Sequence, residues 1–284
     1  MTSSLALALR HTEVDGLSIA YREAGTGPAV LLVHGWPTSS LLWRDVMPHL
    51  APGNRVLAID LPGYGGSAKP LDVRYDFGFY EGVLDGFLAA LGIDLVALVV
   101  HDVGGPIGVH WALRNPGRVT ALGILNTLLY PEFSPEVIEF VQRLRTTGER
   151  EKMVSPDGLA DMLRLGVREP ARLAPDLLAG FTEPFAGDAA GGAREALARA
   201  AVGLSPRTIR EIGAALPTVT APVRVIHGVH DPFLPDIAHT VERLRADIPQ
   251  AEVTALADCA HFIQLEAPDR VGALLAEFLA ATRQ

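Results

Sequence analysis

The chain has 284 residues, 49% of them hydrophobic and 20% charged, which predicts a folded domain with a sizeable core. The formal net charge of −9 and the lack of a basic run argue against nucleic acid or an anionic membrane surface as partner. The single cysteine, Cys259, excludes an internal disulfide and suits a reducing compartment. The segment MTSSLALALRHT lacks the basic start of a signal peptide, and no apolar stretch approaches the length of a membrane span. We therefore expect a cytoplasmic protein.

The predicted elements alternate between strands and helices. A hairpin around Asp15-Gly16 comes first, and short apolar runs follow, as expected for parallel strands buried on both faces. These runs are AVLLVHG, RVLAIDL, LVALVVHD, VTALGILNT, VRVIHGVHD and AEVTALA. Helical patterns occupy residues 39–50, 77–91, 105–115 and 236–247, and a last one begins near 268. The alternation predicts an α/β fold with a mostly parallel sheet and helices on both faces.

Residues 128–216 interrupt this alternation, since they contain no convincing strand. SPEVIEFVQRLR, SPDGLADMLRLG and SPRTIREIGAAL each begin with Ser-Pro, a pair that starts helices well. We predict a core domain from residues 1–127 and 217–284, with 128–216 as an inserted helical domain.

Polar residues at the predicted strand ends are the candidates for chemistry, because open parallel sheets bind ligands beyond the carboxyl ends of their strands. Asp102 follows one strand and precedes the glycines of HDVGG, in a sharp turn where a nucleophile could be presented. Asp231 and His261 end two later strands, so an acid and then a histidine follow along the chain. Each also has a structural interpretation: Asp102 as a helix cap, Asp231 as a turn residue, and His261 as a hydrogen-bonded core histidine.

Backbone groups of two further segments are candidates for an oxyanion hole. HGWP, at residues 34–37, places a glycine where the backbone can approach a ligand, and its following N–H groups could supply one donor. The amide of Val103 could supply the other. Cys259 lies two residues before His261 and is an alternative nucleophile, although a lone cysteine is usually a small buried apolar residue.

Four segments carry a resemblance to a known family: HGWPTSSLLWRDVMPHL, VLAIDLPGYGGSAKP, VVHDVGGPIGVHWALRNPGRV and HFIQLEAPDRV. They resemble the aspartate-nucleophile branch of the α/β-hydrolase superfamily, which holds epoxide hydrolases and haloalkane dehalogenases. The resemblance covers about 1–127 and 217–284, and the insertion falls where the family has its helical cap.

The resemblance implies a two-step hydrolysis of a small-molecule substrate without metal or organic cofactor. Asp102 would form an alkyl ester with the substrate, and His261, oriented by Asp231, would activate the water that cleaves it. The amides of Trp36 and Val103 would hold the oxyanion. The sequence leaves the oligomeric state open.

The leaving group is the point on which the sequence departs from both activities of the branch. Dehalogenases usually carry a halide-binding Trp after the nucleophile, where this chain has Val103, and 128–216 contains no Trp. Epoxide hydrolases usually have an aromatic residue in HGxP, as here, and two cap tyrosines, of which only Tyr130 is available. Phe181 stands where a tyrosine would be expected. At the end of the strand before the insertion, where some dehalogenases have a catalytic Glu, this chain has Asn126, so the role of catalytic acid falls to Asp231.

From these residues we expect an epoxide-hydrolase-like enzyme on a small to medium apolar substrate, with Tyr130 and Phe181 near the substrate pocket. The alternatives are a haloalkane dehalogenase with an atypical halide site and an α/β-hydrolase scaffold that binds a ligand with little or no turnover.

Overall fold

A computed structural model describes residues 7–282, apart from the side chain of Arg172. The first six residues, which belong to the segment not expected to be a signal peptide, and the last two lie outside the described residues. The described residues contain eight strands: Arg10–Val14 (β1), Leu17–Ala24 (β2), Ala29–Val33 (β3), Arg55–Ile59 (β4), Val96–His101 (β5), Val119–Leu125 (β6), Val223–Gly228 (β7) and Glu252–Leu256 (β8).

Twelve α-helices accompany these strands in the described part of the chain. Those of the sheet region are Met47–Leu50 (α1), Phe77–Ala90 (α2), Gly104–Arg114 (α3), Ile237–Asp247 (α10), Ile263–Glu266 (α11) and Pro268–Ala281 (α12). Between β6 and β7 lie Pro135–Arg145 (α4), Thr147–Met153 (α5), Pro156–Leu165 (α6), Pro175–Thr182 (α7), Gly191–Val202 (α8) and Pro206–Ala215 (α9). None of the described helices has the length and apolar character needed to cross a membrane.

The strands form one sheet in the order β1-β2-β4-β3-β5-β6-β7-β8. The pairs β1–β2 and β2–β4 are antiparallel, and all later pairs are parallel. Along β3, Leu31 and Val33 pack into one hydrophobic cluster, whereas Val30 and Leu32 pack into a second. The continuous apolar runs are therefore strands covered by helices on both faces, and the predicted fold class is confirmed.

The insertion between β6 and β7 is helical, as the Ser-Pro pattern predicts. Ser134 and Ser155 cap α4 and α6 by accepting hydrogen bonds from the amides of Val137 and Gly158. The insertion bounds of 128–216 stay a prediction. The prediction of a continuous helix over 39–50 is wrong in part: a 3₁₀ turn over Ser40–Trp43 is followed, after a break, by the short α1.

Candidate active site

Asp102 lies in the turn between β5 and α3, at the carboxyl edge of the sheet. Its φ of 51° is in the left-handed region, which most non-glycine residues avoid, so the turn is a strained one. A side chain at Gly105 would collide with Thr127, and one at Gly35 would collide with the Asp102 carboxylate. The two glycines therefore permit the close packing that presents Asp102 at the sheet edge.

Two backbone amides donate hydrogen bonds to this carboxylate. The Trp36 amide donates to Asp102 Oδ1 at 2.7 Å, and the Val103 amide also donates to the carboxylate. Trp36 follows β3, and Val103 caps α3, so the amides approach from two neighbouring strand ends. These are the two predicted oxyanion donors. The geometry allows them to stabilise negative charge on the carboxyl group of Asp102.

His261 lies between the two acidic residues, and each nitrogen of its ring faces one of the two carboxylates. Nδ1 lies 2.7 Å from Asp231 Oδ2, whereas Nε2 lies 3.6 Å from Asp102 Oδ2. Asp231 Oδ1 accepts the amides of Phe233 and Leu234 at 2.9 and 3.0 Å, which fixes the carboxylate in its turn. The structure thus brings the three residues of the predicted triad together.

Burial and charge shift the pKa of each of these groups. Burial raises the pKa of Asp102, and the nearby His261 and the two amides offset this only in part. Burial opposes ionisation of Asp231 as well, but the charge and hydrogen bond of His261 prevail and lower its pKa to about 2. Burial disfavours the imidazolium, yet Asp231 and then Asp102 raise the pKa of His261 above its usual value.

Asn126 links the strand ends, a role that the sequence did not reveal. Its side-chain amide donates to Asp231 Oδ2 at 2.8 Å, and its side-chain oxygen accepts the Gly228 amide at 2.9 Å. Its carbonyl accepts the Asp102 amide at 3.0 Å. Asn126 has an unusual φ of 24°. The sequence drew attention to its position, at the end of the strand before the insertion, but not to these contacts. One residue therefore contacts both acidic members of the triad.

A cavity of about 310 Å³ lies over Asp102 and His261. From the core it is lined by Trp36, Val103 and Phe233, and from the insertion by mainly apolar side chains of α4, α6, α8 and α9. The Trp36 ring meets the Phe140 ring edge-on, with centroids 4.8 Å apart. The insertion thus covers the site as a cap would, and the space suits a small or medium apolar molecule.

The structure corrects the expected pocket roles of Tyr130 and Phe181. Neither is among the described residues that line the cavity. The Tyr130 hydroxyl donates to Asp247 at 2.7 Å, and the Arg243 guanidinium stacks on its ring, so it anchors the start of the insertion to α10. Phe181 is buried in the hydrophobic cluster that contains Trp43. Tyr130 lies in the segment before α4 and Phe181 lies on α7, and the helical pattern of the sequence could not show how either side chain packs.

Cys259 is a poor candidate for a nucleophile. Its side chain is buried, and burial together with neighbouring carboxylates raises its pKa to about 11. Among residues 7–282 no group of three His, Cys, Asp or Glu side chains is arranged to hold a metal ion.

An eight-stranded sheet with a nucleophile turn, a capping insertion and an Asp–His–Asp arrangement defines the class of α/β hydrolases. The chain belongs to the α/β-hydrolase fold family, whose model matches residues 28–268, and to the aspartate-nucleophile branch of that superfamily. It is therefore a hydrolase of the aspartate-nucleophile type.

Relatives within this branch are similar over nearly their whole length. The chain is 30% identical over 281 residues to a haloalkane dehalogenase of Agrobacterium fabrum, covering 93% of this chain and 89% of the relative. It is 32% identical over 293 residues to a haloalkane dehalogenase of Sphingobium indicum, covering 95% of each. The crystal structure of a haloalkane dehalogenase from Agrobacterium tumefaciens C58 superposes with a TM-score of 0.84 at 28% identity, covering 97% of both chains.

Proposed function

We propose that the chain is a hydrolase of carbon–halogen bonds, acting on small to medium apolar haloalkanes. The observation that carries this proposal is the indole N–H of Trp36, which is buried and has no hydrogen-bond partner within the described residues. Buried donors are nearly always partnered, and Trp36 both lines the cavity and bonds Asp102 through its amide. A departing halide would accept this N–H. The similarity to haloalkane dehalogenases supports the same substrate class.

In the first step, Asp102 Oδ2 attacks the carbon that bears the halogen. A carbon–oxygen bond forms as the carbon–halogen bond breaks, and the halide leaves with the bonding electron pair. The Trp36 amide bonds Oδ1, whereas Oδ2 lies 3.6 Å from His261 Nε2, and Asp102 is among the residues that line the cavity. The product of this step is an alkyl ester of Asp102.

In the second step, His261 Nε2 takes a proton from water, and the hydroxide attacks the Asp102 ester at its carboxyl carbon. The negative charge that develops on Oδ1 is stabilised by the amides of Trp36 and Val103. Asp231 stabilises the imidazolium that forms. The bond between the carboxyl carbon and the alcohol oxygen then breaks, and His261 returns its proton to that oxygen. Asp102 is left as a carboxylic acid and becomes the carboxylate again when it releases its proton to solvent.

Epoxide hydrolysis, the main expectation from the sequence, is the second candidate, favoured by Val103 after the nucleophile and by the aromatic residue in HGWP. Opening an epoxide produces an alkoxide, a strong base that needs a proton donor, whereas a halide needs only N–H groups. The described residues of the cavity lining include no tyrosine, and the Tyr130 hydroxyl is bonded to Asp247. These observations give epoxide hydrolysis less support than dehalogenation.

A substrate panel tests the proposal. The protein is incubated with n-butyl chloride, bromide and iodide and with styrene oxide, and halide, alcohol and diol are quantified, with Asp102→Asn as the inactive control. Halide and butanol in equal amounts, lost in Asp102→Asn, are the expected result. Diol from styrene oxide without halide release would replace the proposal by epoxide hydrolysis, and the absence of both products would favour the ligand-binding alternative.

Two further features are proposals from composition. We infer that the protein acts on a small molecule, with neither nucleic acid nor a membrane as partner, and that it resides in the cytoplasm, because the chain is acidic and has a single cysteine.

A further inference from the structure

The loop that carries His261 is bonded to the insertion through the backbone. The Gly166 carbonyl, at the end of α6, accepts the amides of both His261 and Phe262, at 3.0 and 3.1 Å. A side chain at Gly166 would collide with the ring of Phe262, so only glycine permits this approach. The position of His261 therefore depends on the insertion as well as on β8.

Glu266 adds a second connection at the same place. Its Oε1 accepts the Arg168 amide and its Oε2 accepts the Ala260 amide, both at 2.6 Å. Arg168 belongs to the insertion, and Ala260 directly precedes His261. A single carboxylate thus ties the insertion to the His261 loop, and a charged acceptor makes both hydrogen bonds strong.

We propose that Glu266 is a positioning residue for His261, holding the imidazole where it can activate water against the Asp102 ester. The inference rests on the proposed function, in which His261 is the base of the second step. Glu266 itself is not among the residues that line the cavity, so it acts through the loop.

The charge of Glu266 also reaches His261. Several charged or titratable groups face the carboxylate: Arg168 and Glu169 from the insertion, and Asp258 and Cys259 from the loop before His261. Burial raises the pKa of Glu266, and the hydrogen bonds from Arg168 and Ala260 oppose that shift. The ionised carboxylate in turn favours the imidazolium form, so its loss would lower the pKa of His261.

Glu266→Gln tests the role with little change in size. The amide oxygen can still accept one backbone N–H, but the NH₂ group cannot accept the other, and the charge is lost. Glu277→Gln, an exposed position on α12, is the matched control for the same change in charge. Single turnovers with n-butyl bromide are quenched at intervals, and the ester on Asp102 is followed by mass spectrometry.

We expect ester formation in Glu266→Gln within about twofold of the wild type, because the nucleophile is untouched. Ester hydrolysis should slow about tenfold, as for the loss of one hydrogen bond to a charged group. In the pH–rate profile of ester hydrolysis, the fall of the rate at low pH should move to lower pH. General loosening of the fold would not produce such a shift. Rates are normalised to the amplitude of the ester burst, which counts only folded enzyme. Gly166→Ala, a substitution in the insertion, should slow ester hydrolysis as well.

Two failures are distinguishable. If His261→Gln accumulates the ester but Glu266→Gln hydrolyses it at the wild-type rate with an unmoved fall at low pH, the positioning role is overturned and the proposed function stands. If neither the wild type nor His261→Gln forms an ester with n-butyl bromide, the proposed function fails and the role of Glu266 fails with it.

Discussion

Asn126 and His261 donate to the same oxygen of Asp231, at 2.8 and 2.7 Å. With two amides on its other oxygen, this carboxylate is fully engaged within the protein. It stays ionised in a buried setting because each donor favours the charged form. Asn126, which directly follows β6, is therefore part of the arrangement that holds the imidazole.

Asn126→Ala should slow ester hydrolysis about tenfold or more, since a hydrogen bond to a buried charge contributes about 1.5–3 kcal/mol. With one donor lost, the carboxylate of Asp231 is less firmly held, so it orients the imidazole of His261 less well. The measurement is the ester burst with n-butyl bromide, which should become larger and decay more slowly. Asn115→Ala, which removes an amide bonded to Trp111 in α3, is the control. An unchanged decay in Asn126→Ala would contradict the prediction.

The fall of kcat/KM at low pH should follow the protonation of the Asp102 carboxylate. Only the ionised carboxylate attacks carbon, and the pKa of Asp102 is raised by burial. The rate of ester formation should therefore fall as pH drops through a value above that of an ordinary aspartate, about 3.9. A pH series of ester formation checks this, with protein integrity followed by circular dichroism. A fall centred below the ordinary aspartate value would show that the amides and His261 outweigh burial.

Trp36→Phe tests the halide donor, since it removes the indole N–H but keeps an aromatic ring against Phe140. We expect ester formation to fall about 10- to 100-fold, as for one lost hydrogen bond to developing charge. The loss should be largest for the chloride, which is the poorest leaving group of the three halides.

Trp43→Phe is the matched control for this substitution. Trp43 also has a buried indole N–H without a partner among the described residues, but it packs in the other cluster, away from the cavity. Similar losses in Trp36→Phe and Trp43→Phe would mean that Trp36 acts through packing and not as a halide donor.

Tyr130→Phe should leave turnover of haloalkanes within about twofold of the wild type, because its hydroxyl is bonded to Asp247. The free energy of unfolding should decrease by about 1 kcal/mol, as for one hydrogen bond. Denaturant titration and halide release measure the two effects. A large loss of styrene oxide turnover in this variant would restore the tyrosine to the leaving-group role expected from the sequence.

The contrast between Asp102 and Tyr130 shows what the sequence could predict. Asp102, Asp231 and His261 each follow an apolar strand, and parallel strands place their carboxyl ends along one edge, so their proximity follows from the pattern. Tyr130 and Phe181 belong to the insertion, which has no sheet to align its segments, so the directions of their side chains depend on tertiary packing. Asn126 and Glu266 act through contacts across 105 and 98 positions of the chain, which local patterns do not encode.

In the proposed reaction, the 3.6 Å between His261 Nε2 and Asp102 Oδ2 makes the second step depend on the first. In the free protein the charge of Asp102 helps to keep a proton on His261. Ester formation cancels that charge, so the same event that creates the intermediate releases the imidazole toward its basic form. Loss of the Asp102 charge lowers the pKa of His261, so the neutral imidazole, which can accept a proton from water, is favoured while the ester is present.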